Sequence, residues 1–427
     1  MLDLKFIREN SDLVRKNIEK KFQHDKFKFL DELLEKDKKY REILYAVEQL
    51  RKRRNSLSKE ISEKKKTGQD ADKLLLEAKK LPEELSKKEE ELSKLKEHIT
   101  FLQLKIPNII ADDVPLGKSD KDNVVKRVIG RPPKFTFDVK GHVEIGESLG
   151  IADFDGASRI SGRGFFFLKG DLARLNQALI RFTIDFMIEK GYTLVEPPLM
   201  LSEESIHTVM PFSDFQEHAY KMDGKDQYLI ATSEHPLVAW FKDQVIEKPR
   251  LPIKLVGYSQ CFRQEIGSHG IDEKGLFRTH QFNKVEQVII CEPEDSEKYY
   301  AEILRNSVEL YQLIGIPIRI IECCSGDLSD MKYKSEDVEA YSPRKKDYFE
   351  VGSCSNLTTA QARRANIVVF DGRERYTPHT LNNTAIATSR CMVAILENFQ
   401  NADGSVSIPD VLQRYMGGLR KITPPIE

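Results

Sequence analysis

The chain has 427 residues, of which 40% are hydrophobic, and a formal net charge of −1. These values predict a folded protein of two or three domains and argue against an intrinsically disordered chain. The charge excludes a uniformly basic nucleic-acid coat, so any RNA contact would have to come from locally clustered charge.

Residues 27–106 are rich in Lys, Glu and Leu, a composition typical of long helices. Apolar residues recur at heptad spacing in both halves of this segment, and Arg54 fills one polar slot. The first seam contains Leu33, Tyr40, Ile43, Val47, Leu50, Leu57 and Ile61, and the second contains Leu74, Ala78, Leu81, Leu85, Leu92, Leu95, Ile99, Leu102 and Ile106. Each seam needs a partner, which predicts an antiparallel hairpin, a coiled-coil arm with helices of about 60 Å.

The string TGQD at 67–70 separates the two seams. Gly68 is suited to a helix C-cap and Asp70 to an N-cap. Pro82 is expected either to kink the second helix or to mark its effective start, because proline removes a helical hydrogen bond.

Basic residues cluster in the distal half of this arm. They are Arg51, Lys52, Arg53, Arg54, Lys64, Lys65 and Lys66. Such a cluster could pair with an RNA backbone, or it could be the solvated face of a lysine-rich coiled coil. The helical segment alone leaves both interpretations open.

Prolines punctuate the chain after Ile106 and indicate a linker to a compact mixed domain. The sequence therefore divides near residue 110, into an arm at 1–110 and a second domain at 111–427. Strands are predicted at 254–259, 284–290 and 348–352, and helices at 172–190 and 294–313. Because strands and helices do not alternate strictly, the pattern favours an α+β fold with a mostly antiparallel sheet flanked by helices.

Charged residues recur in a predicted strand–loop–strand segment at 261–286. Arg263 and Glu265 are two residues apart, as are Arg278 and His280, so an extended strand would project each pair from one face. An arginine can bind a carboxylate or phosphate through two hydrogen bonds and neutralise charge on a phosphoryl group. Taken alone, Arg-x-Glu on a strand is more often an ordinary surface ion pair.

The six cysteines are scattered without a CxxC pair, and we expect free, mostly buried thiols. The first ten residues contain no apolar signal core, and no apolar run reaches 18 residues. These features predict a cytoplasmic location without a membrane span. The cysteines are Cys261, Cys291, Cys323, Cys324, Cys354 and Cys391.

Several strings resemble the class II aminoacyl-tRNA synthetases, and the seryl-tRNA synthetases in particular. FRQE at 262–265 with GLFRTHQF at 275–282 resembles motif 2 in its seryl version, GYTLVEPPL at 191–199 resembles motif 1 at the dimer interface, and LNNTAIATSR at 381–390 resembles motif 3. ATSE at 231–234, FEVGSCSN at 349–356 and QARR at 361–364 resemble seryl strings. The resemblance spans nearly the whole chain and implies a class II catalytic domain at 111–427 behind a tRNA-binding arm at 1–110.

The resemblance also implies an ATP site. Arg263 would bind the α-phosphate and the serine carboxylate, Glu265 the adenine amino group, and Phe282 the adenine ring by stacking. Arg278 and Arg390 would bind the outer phosphates. Without the resemblance, Phe282 is equally a core aromatic residue.

A magnesium ion bridging the phosphates is implied as well. Glu350 and Ser353 would be its ligands, because Mg²⁺ prefers oxygen donors and keeps positions for substrate oxygens. Alone, these two residues are ordinary polarity at a strand end. Arg263, Arg390 and Glu350 are the candidate catalytic residues.

Serine recognition is implied for Thr232, Glu286, Asn382 and Thr384, together with Arg263. Glu286 would meet the ammonium and the hydroxyl group of serine. Alanine is then rejected because it leaves buried polar groups unpaired, whereas threonine must be excluded by size, since a methyl group contributes only about 1–3 kcal/mol by attraction.

The implied reaction is that of a serine–tRNA ligase, in which seryl-adenylate forms from serine and ATP and serine then passes to the 3′-terminal adenosine of tRNA. The implied partners are ATP, Mg²⁺, serine tRNA with its long variable arm, selenocysteine tRNA, and a second copy in a homodimer. Zinc is not expected, because no Cys/His set has ligand spacing. The rivals are a ligase that loads a carrier protein and a non-catalytic RNA-binding homologue.

Two positions depart from the family pattern. Ile271 stands where arginine is frequent, and Thr359 stands where an acidic residue is common. The first departure concerns contact of the motif 2 loop with the tRNA acceptor end, and neither touches the implied ATP ligands.

Overall fold

A computed structural model describes residues 1–211, 219–265 and 274–424. Ile271 lies outside the described residues. The chain forms two compact units, of which one contains Leu2–Glu19 and Gln23–Pro107. The other contains Met1, Lys20–Phe22 and the chain from Asn108 onward.

The first unit is built from helices, with bounds Leu4–Glu9, Ser11–Lys20, Phe27–Lys66 and Asp72–Lys105. The two long helices pack side by side through the predicted seams. Their buried cluster consists of Ile43, Val47, Leu57, Leu81, Leu85 and Leu95, with Tyr40, Leu50, Leu74 and Leu92 packed against it. The coiled-coil hairpin is therefore confirmed, because each apolar stripe covers the other.

The turn of the hairpin differs by one residue from the prediction. Thr67 occupies the C-cap and Gly68 follows it with a φ of 68°, the left-handed conformation that commonly ends a helix. Ala71, not Asp70, is the N-cap of the next helix. The Asp70 carboxylate still accepts the Asp72 N–H at 2.9 Å, so it satisfies a free helical donor from one position further out.

Pro82 does not mark the start of the second helix, which begins at Asp72. The proline ring leaves one carbonyl of the preceding turn without its helical donor. Pro82 lies on the exposed face of the helix, where water can bond to that carbonyl. Of the two predicted alternatives for Pro82, the helix start is therefore excluded.

The second unit is organised around an eight-stranded sheet. In spatial order its strands are Val124–Ile129, Ile318–Glu322, Lys334–Ser342, Asp347–Thr358, His379–Ala387, Gln281–Cys291, Ile253–Phe262 and Thr193–Val195. All neighbours are antiparallel except the last pair. The predicted mostly antiparallel sheet is confirmed, and the three predicted strands all lie in it.

Short strands flank the main sheet. Their bounds are Ala152–Asp153 with Phe167–Leu168, Met200–Leu201 with Tyr228–Leu229, Val406–Ser407 with Lys421–Ile422, and Val245–Glu247 with Val368–Phe370 and Arg375–Tyr376. The helices described in this unit are His142–Ser148, Phe154–Ser161, Gly170–Glu189, Glu203–Val209, Glu234–Ala239, Ser296–Ile314, Ala360–Arg364, Thr388–Asn398 and Asp410–Gln413.

Helices Gly170–Glu189, Ser296–Ile314 and Thr388–Asn398 bury their apolar faces against the sheet in one large core. The first two confirm the predicted helices. The third follows directly on strand His379–Ala387, so the segment at 381–390 that resembles motif 3 runs from a strand into a helix. All six cysteines are buried free thiols. Across the described residues, no helix combines the length and apolarity that a membrane span requires.

Candidate active site

One cleft of about 850 Å³ opens on the face of the eight-stranded sheet. Its lining includes every residue that the sequence nominated for ATP, metal and serine. These eleven are Thr232, Arg263, Glu265, Arg278, Phe282, Glu286, Glu350, Ser353, Asn382, Thr384 and Arg390. They come from several strands and connections, so the fold brings together side chains separated by up to 158 positions (390 − 232).

The predicted strand pair around 261–286 is shorter than expected. The first strand ends at Phe262, so Arg263 and Glu265 lie beyond it, and Glu265 has a φ of 49°. The return strand begins at Gln281, after Arg278 and His280. The prediction that each pair shares a strand face is therefore wrong.

Hydrogen bonding explains where this ladder stops. The Arg263 N–H donates to the His280 carbonyl at 3.0 Å, but the His280 N–H turns to the Gly164 carbonyl, also at 3.0 Å. A neighbouring segment thus takes the donor that would continue the pairing. Arg263 and Arg278 reach the cleft from irregular backbone instead.

Arg263 and Phe282 adjoin each other in the cleft. The guanidinium carbon of Arg263 lies 5.2 Å from the Phe282 ring centroid, and its Nε donates to the Ala231 carbonyl at 3.4 Å. Phe282 is half-buried at the start of its strand and lines the cleft. It is therefore not a closed core aromatic, and a flat ligand can reach its ring.

Arg390 is held in the cleft by Glu350. Its Nη1 donates to the Glu350 carbonyl at 2.8 Å and lies 3.2 Å from the carboxylate Oε2. Burial raises the pKa of Glu350, but Arg390 and Arg263 outweigh it and hold that pKa below its usual value. The carboxylate is therefore ionised and available to a cation.

A buried charged group lies on strand Gln281–Cys291. Lys284 Nζ is 2.6 Å from Glu286 Oε2, and Thr384 Oγ1 donates to the same oxygen at 3.3 Å. Both members of the ion pair are almost inaccessible. They share a face because they are two residues apart on a strand. Sequence reasoning nominated Glu286 and Thr384 and missed Lys284.

Glu234 is a second carboxyl group beside this pair. Its Oε1 accepts from Gln361 Nε2 at 2.5 Å, and Gln361 in turn accepts from Thr380 Oγ1 at 2.8 Å. Burial and the nearby charge of Glu286 raise the pKa of Glu234 to about 7, against the opposing effect of Lys284. The strings ATSE and QARR contained Glu234 and Gln361, but spacing gave no sign that the two would meet.

Oxygen donors for a cation gather around Ser353. Glu350, Ser353 and Asp337 all line the cleft, and Asp337 Oδ1 is buried without a hydrogen-bond partner within the described chain. Burial raises the pKa of Asp337 to about 6, with a further contribution from the charge of Glu350. Hydroxyl and carboxylate oxygens fit Mg²⁺ supplemented by phosphate oxygens. Asp337 was missed because its string, SEDVEAY, reads as an ordinary strand.

No group of three or more His, Cys, Asp or Glu side chains that could hold a metal ion occurs among residues 1–211, 219–265 and 274–424. Cys261 and Cys354 are fully buried in the sheet. Burial raises the pKa of each thiol, which makes them packing groups. Thr359 is the N-cap of the short helix Ala360–Arg364 and accepts from Arg363 Nε at 3.3 Å.

A buried histidine supports the segment that leads into Arg278. The Leu276 N–H donates to His142 Nε2 at 3.2 Å, so the ring proton resides on Nδ1, 3.4 Å from Glu397 Oε1. Glu397 also accepts from Ser342 and lies beside Arg344. Burial raises the pKa of Glu397, but His142, Ser342 and Arg344 outweigh it and hold that pKa low.

The seven basic residues of the arm divide into two sets. Arg51 forms an ion pair with Glu89 at 2.7 Å, and Arg53 pairs with Glu77 at 2.8 Å. Lys64 donates to the Asp70 carbonyl at 3.1 Å. Lys52, Arg54, Lys65 and Lys66 are exposed on the helix surface.

The sheet, its cleft and the strand-to-helix motif define the class II aminoacyl-tRNA synthetases. A family model described as "tRNA synthetase class II core domain (G, H, P, S and T)" matches residues 218–399. A second, "Seryl-tRNA synthetase N-terminal domain", matches residues 1–110.

Comparison with individual proteins shows which family within this class the chain resembles. The chain is 44% identical to a serine–tRNA ligase of Methanocella arvoryzae over 98% of this chain and 99% of the relative. Seryl-tRNA synthetase of Pyrococcus horikoshii, solved with ATP, superposes with a TM-score of 0.95 at 40% identity over 100% of both chains. The cytoplasmic serine–tRNA ligase of Naegleria fowleri, solved with AMP, gives 0.90 at 31% identity over 100% of this chain and 99% of that one. The chain belongs to the seryl-tRNA synthetase family.

Proposed function

We propose that this chain is a serine–tRNA ligase that activates serine with ATP and transfers it to the 3′-terminal adenosine of serine tRNA. The observation that carries the proposal is that one cleft joins two arginines and an open aromatic ring to a buried Glu–Lys–Thr group. The first set suits a nucleotide and the second suits a small amino acid. The names of the relatives support the same activity.

In the first step a serine carboxylate oxygen attacks the α-phosphorus of ATP, the bond to the β-phosphate breaks, and pyrophosphate leaves. We propose that Arg263 binds both the carboxylate and the α-phosphate, while Arg278 and Arg390 bind the outer phosphates. A carboxylate is already ionised and needs no general base. Positioning of the reactants and neutralisation of their charge therefore account for the acceleration of this step. In the second step the tRNA hydroxyl attacks the acyl carbon and AMP leaves.

The adenine ring is proposed to stack on Phe282, with its amino group at Glu265. Phe282 lines the cleft and is only half-buried, which supports this role. Magnesium held by Glu350 and Ser353, with Asp337 adjacent, would supply charge neutralisation to the phosphates when bound. Glu350 and Arg390 also hold each other in place.

Serine selectivity is proposed to rest on Thr232, Glu286, Asn382 and Thr384. Glu286 is buried, and Lys284 already compensates its charge. A ligand that lacks the hydroxyl leaves these polar groups unpaired, which costs about 1–3 kcal/mol for each neutral group.

We propose that residues 1–110 bind tRNA and that residues 111–427 carry catalysis. The exposed basic residues near the distal turn suit the backbone of the long variable arm of serine tRNA, and of selenocysteine tRNA, read by shape. We also propose a homodimer through the segment at 191–199 and a cytoplasmic location.

ATP–pyrophosphate exchange tests the activation step. Serine, threonine, alanine and glycine are compared without tRNA, with Mg²⁺ present or chelated. We expect exchange that is selective for serine, requires Mg²⁺ and is lost in Arg263→Gln. Arg305→Gln, an exposed arginine on helix Ser296–Ile314, is the control and should retain wild-type exchange.

Absence of exchange from folded wild-type protein with every amino acid would favour the RNA-binding homologue. If exchange occurs, transfer of radiolabelled serine to tRNA is compared with transfer to acyl carrier protein. Labelling of the carrier protein alone would favour the carrier-protein ligase.

A further inference from the structure

The side chain of Lys332 reaches the cleft two residues before strand Lys334–Ser342. Its Nζ donates to Ser335 Oγ and to Ser353 Oγ, each at 3.1 Å. These two hydroxyls lie on neighbouring antiparallel strands. The ammonium group is therefore fixed at a defined position in the wall of the site.

The ammonium group of Lys332 uses only two of its hydrogen-bond donors within the described residues. An ammonium group has three protons to donate. Two are used by the serines, and within the described residues the third has no hydrogen-bond acceptor, although the side chain lines the cleft. Lys332 is half-buried, and a cation with an unused donor beside a substrate cavity is suited to bind an anionic oxygen.

A lysine side chain is ordinarily protonated at neutral pH, and the carboxyl groups of Asp337 and Glu350 add negative charge near this ammonium group. Ser353 Oγ accepts from Lys332 and also lies 3.3 Å from Ser335 Oγ. The Ser335 hydroxyl donates to the Cys354 carbonyl, so Ser353 can donate its own proton to Ser335 and keep one lone pair for a magnesium ion.

We propose that Lys332 is a further ATP-binding residue, which donates its third N–H to an oxygen of the β- or γ-phosphate. The proposal rests on the proposed function, because it places the outer phosphates beside Glu350 and Ser353. The hydrogen bond to Ser353 puts the ammonium group at that end of the cleft. A lysine serves here as a point charge for phosphate rather than as a two-pronged ligand.

The test compares the affinity for ATP with that for AMP, which lacks both outer phosphates. Equilibrium dissociation constants are measured with EDTA present for wild type, Lys332→Met, Lys332→Gln and Lys332→Arg. We expect the Met and Gln variants to bind ATP about tenfold or more weakly, since a hydrogen bond from a charged group is lost. AMP affinity should stay within twofold, and Lys332→Arg should recover most of the ATP affinity.

Lys334→Met is the matched control. Lys334 is half-buried in the same segment and pairs with Asp113 and Glu322 rather than with the cleft. Its loss should leave both affinities within twofold of wild type. Circular dichroism identifies any variant that does not fold, and Lys332→Gln serves if Lys332→Met is one of these.

Equal weakening of ATP and AMP, or no weakening of either, would overturn the proposal. A rise in the KM for serine with unchanged ATP affinity would assign the ammonium to the serine carboxylate and overturn it as well. If the proposed function fails, wild-type protein shows no serine-dependent exchange, a result independent of the ATP and AMP affinities.

Discussion

Two carboxyl groups, Glu286 and Glu234, lie close together in the cleft. Glu286 is paired with Lys284 at 2.6 Å. Burial and the negative charge of Glu286 disfavour ionisation of Glu234, and the positive charges of Lys284 and Lys332 offset them only in part. The proton therefore stays on Glu234 up to a pH of about 7.

We predict that the KM for serine falls as the pH rises through about 7. Ionised Glu234 attracts the serine ammonium, whereas neutral Glu234 does not. With a pKa of about 7, the ionised fraction rises about tenfold between roughly pH 6 and pH 8. Serine-dependent exchange at saturating ATP measures the KM across this range.

Glu234→Gln is the control for this titration, because it keeps the shape and removes the ionisation. Its KM for serine should be high and independent of pH. A wild-type KM that is flat over the same range would show that Glu234 does not titrate there. The same titration affects stability. The pKa of Glu234 in the folded protein is about 7, above the usual 4.5. The contribution of Glu234 to the free energy of unfolding therefore decreases as the pH rises from about 4.5 to about 7.

At the scale of elements, hydrogen bonds to side chains outside the cleft hold the segment that leads into Phe277 and Arg278. His142 accepts the Leu276 N–H and is itself oriented by Glu397 on the motif 3 helix. Gly275 has a φ of 119°, and a Cβ atom there would lie 2.2 Å from His142 Nε2. The helix that follows motif 3 thus positions a residue of motif 2.

We predict that Gly275→Ala raises the KM for ATP at least about tenfold and lowers the melting temperature. The added methyl group would displace His142 and with it the backbone before Arg278. Exchange kinetics and circular dichroism melting measure the two effects.

Gly372→Ala is the matched variant for this steric effect. Gly372 has a φ of 97° but no atom within 4 Å of an added Cβ. This variant should lower the free energy of unfolding by only about 1–2 kcal/mol, because alanine is strained in the left-handed conformation. Its KM for ATP should not change. Similar KM values for ATP in both variants would contradict the inference that His142 holds the backbone before Arg278 in place.

The hairpin of the first unit depends on its seam. Leu85 is buried between the two long helices, whereas Leu76 on the same helix is 62% exposed. We predict that Leu85→Ala destabilises the hairpin by about 2–5 kcal/mol and that Leu76→Ala changes it little. Hydrogen exchange of the helix Asp72–Lys105 measures the difference.

Serine-dependent exchange without tRNA should be unchanged in both leucine variants, because it uses the other unit alone. Charging of tRNA should fall in Leu85→Ala. Equal protection of the helix in the two variants would show that the seam is not what holds the hairpin.

How far the sequence predicts these elements depends on how local the cause is. Heptad spacing placed Val47 on the first seam and Leu85 on the second, because periodicity alone creates the two apolar stripes. The end of the strand at Phe262 was not predictable, since a carbonyl of Gly164, 116 positions before His280 (280 − 164), takes the donor. Lys332 and Asp337 likewise meet Ser353 only when strands Lys334–Ser342 and Asp347–Thr358 are aligned.

At the scale of the whole molecule, a net charge of −1 conceals a segregated distribution. In the distal arm, Arg51 and Arg53 are engaged by acids of the opposite helix, so they contribute to the hairpin itself. Lys65 and Lys66 extend into solvent beside the turn. The choice between an RNA contact and a solvated face therefore concerns the exposed residues of the cluster and not Arg51 or Arg53.

We predict that Lys65→Ala/Lys66→Ala weakens binding of serine tRNA and lowers the slope of log K against log salt by about two. Each lysine that neutralises a phosphate releases about one counterion. Filter binding across salt concentrations measures the slope, and exchange without tRNA should be unchanged.

Lys87→Ala/Lys94→Ala removes the same charge from the same arm and is the matched pair. These lysines are about three-quarters exposed but pair with Glu83 and Glu90 one turn away. Their loss should leave the slope unchanged, because each acid already cancels its lysine. If both double variants lower the slope equally, tRNA responds only to the overall charge of the arm. If neither variant changes the slope, Lys65 and Lys66 belong to a solvated face.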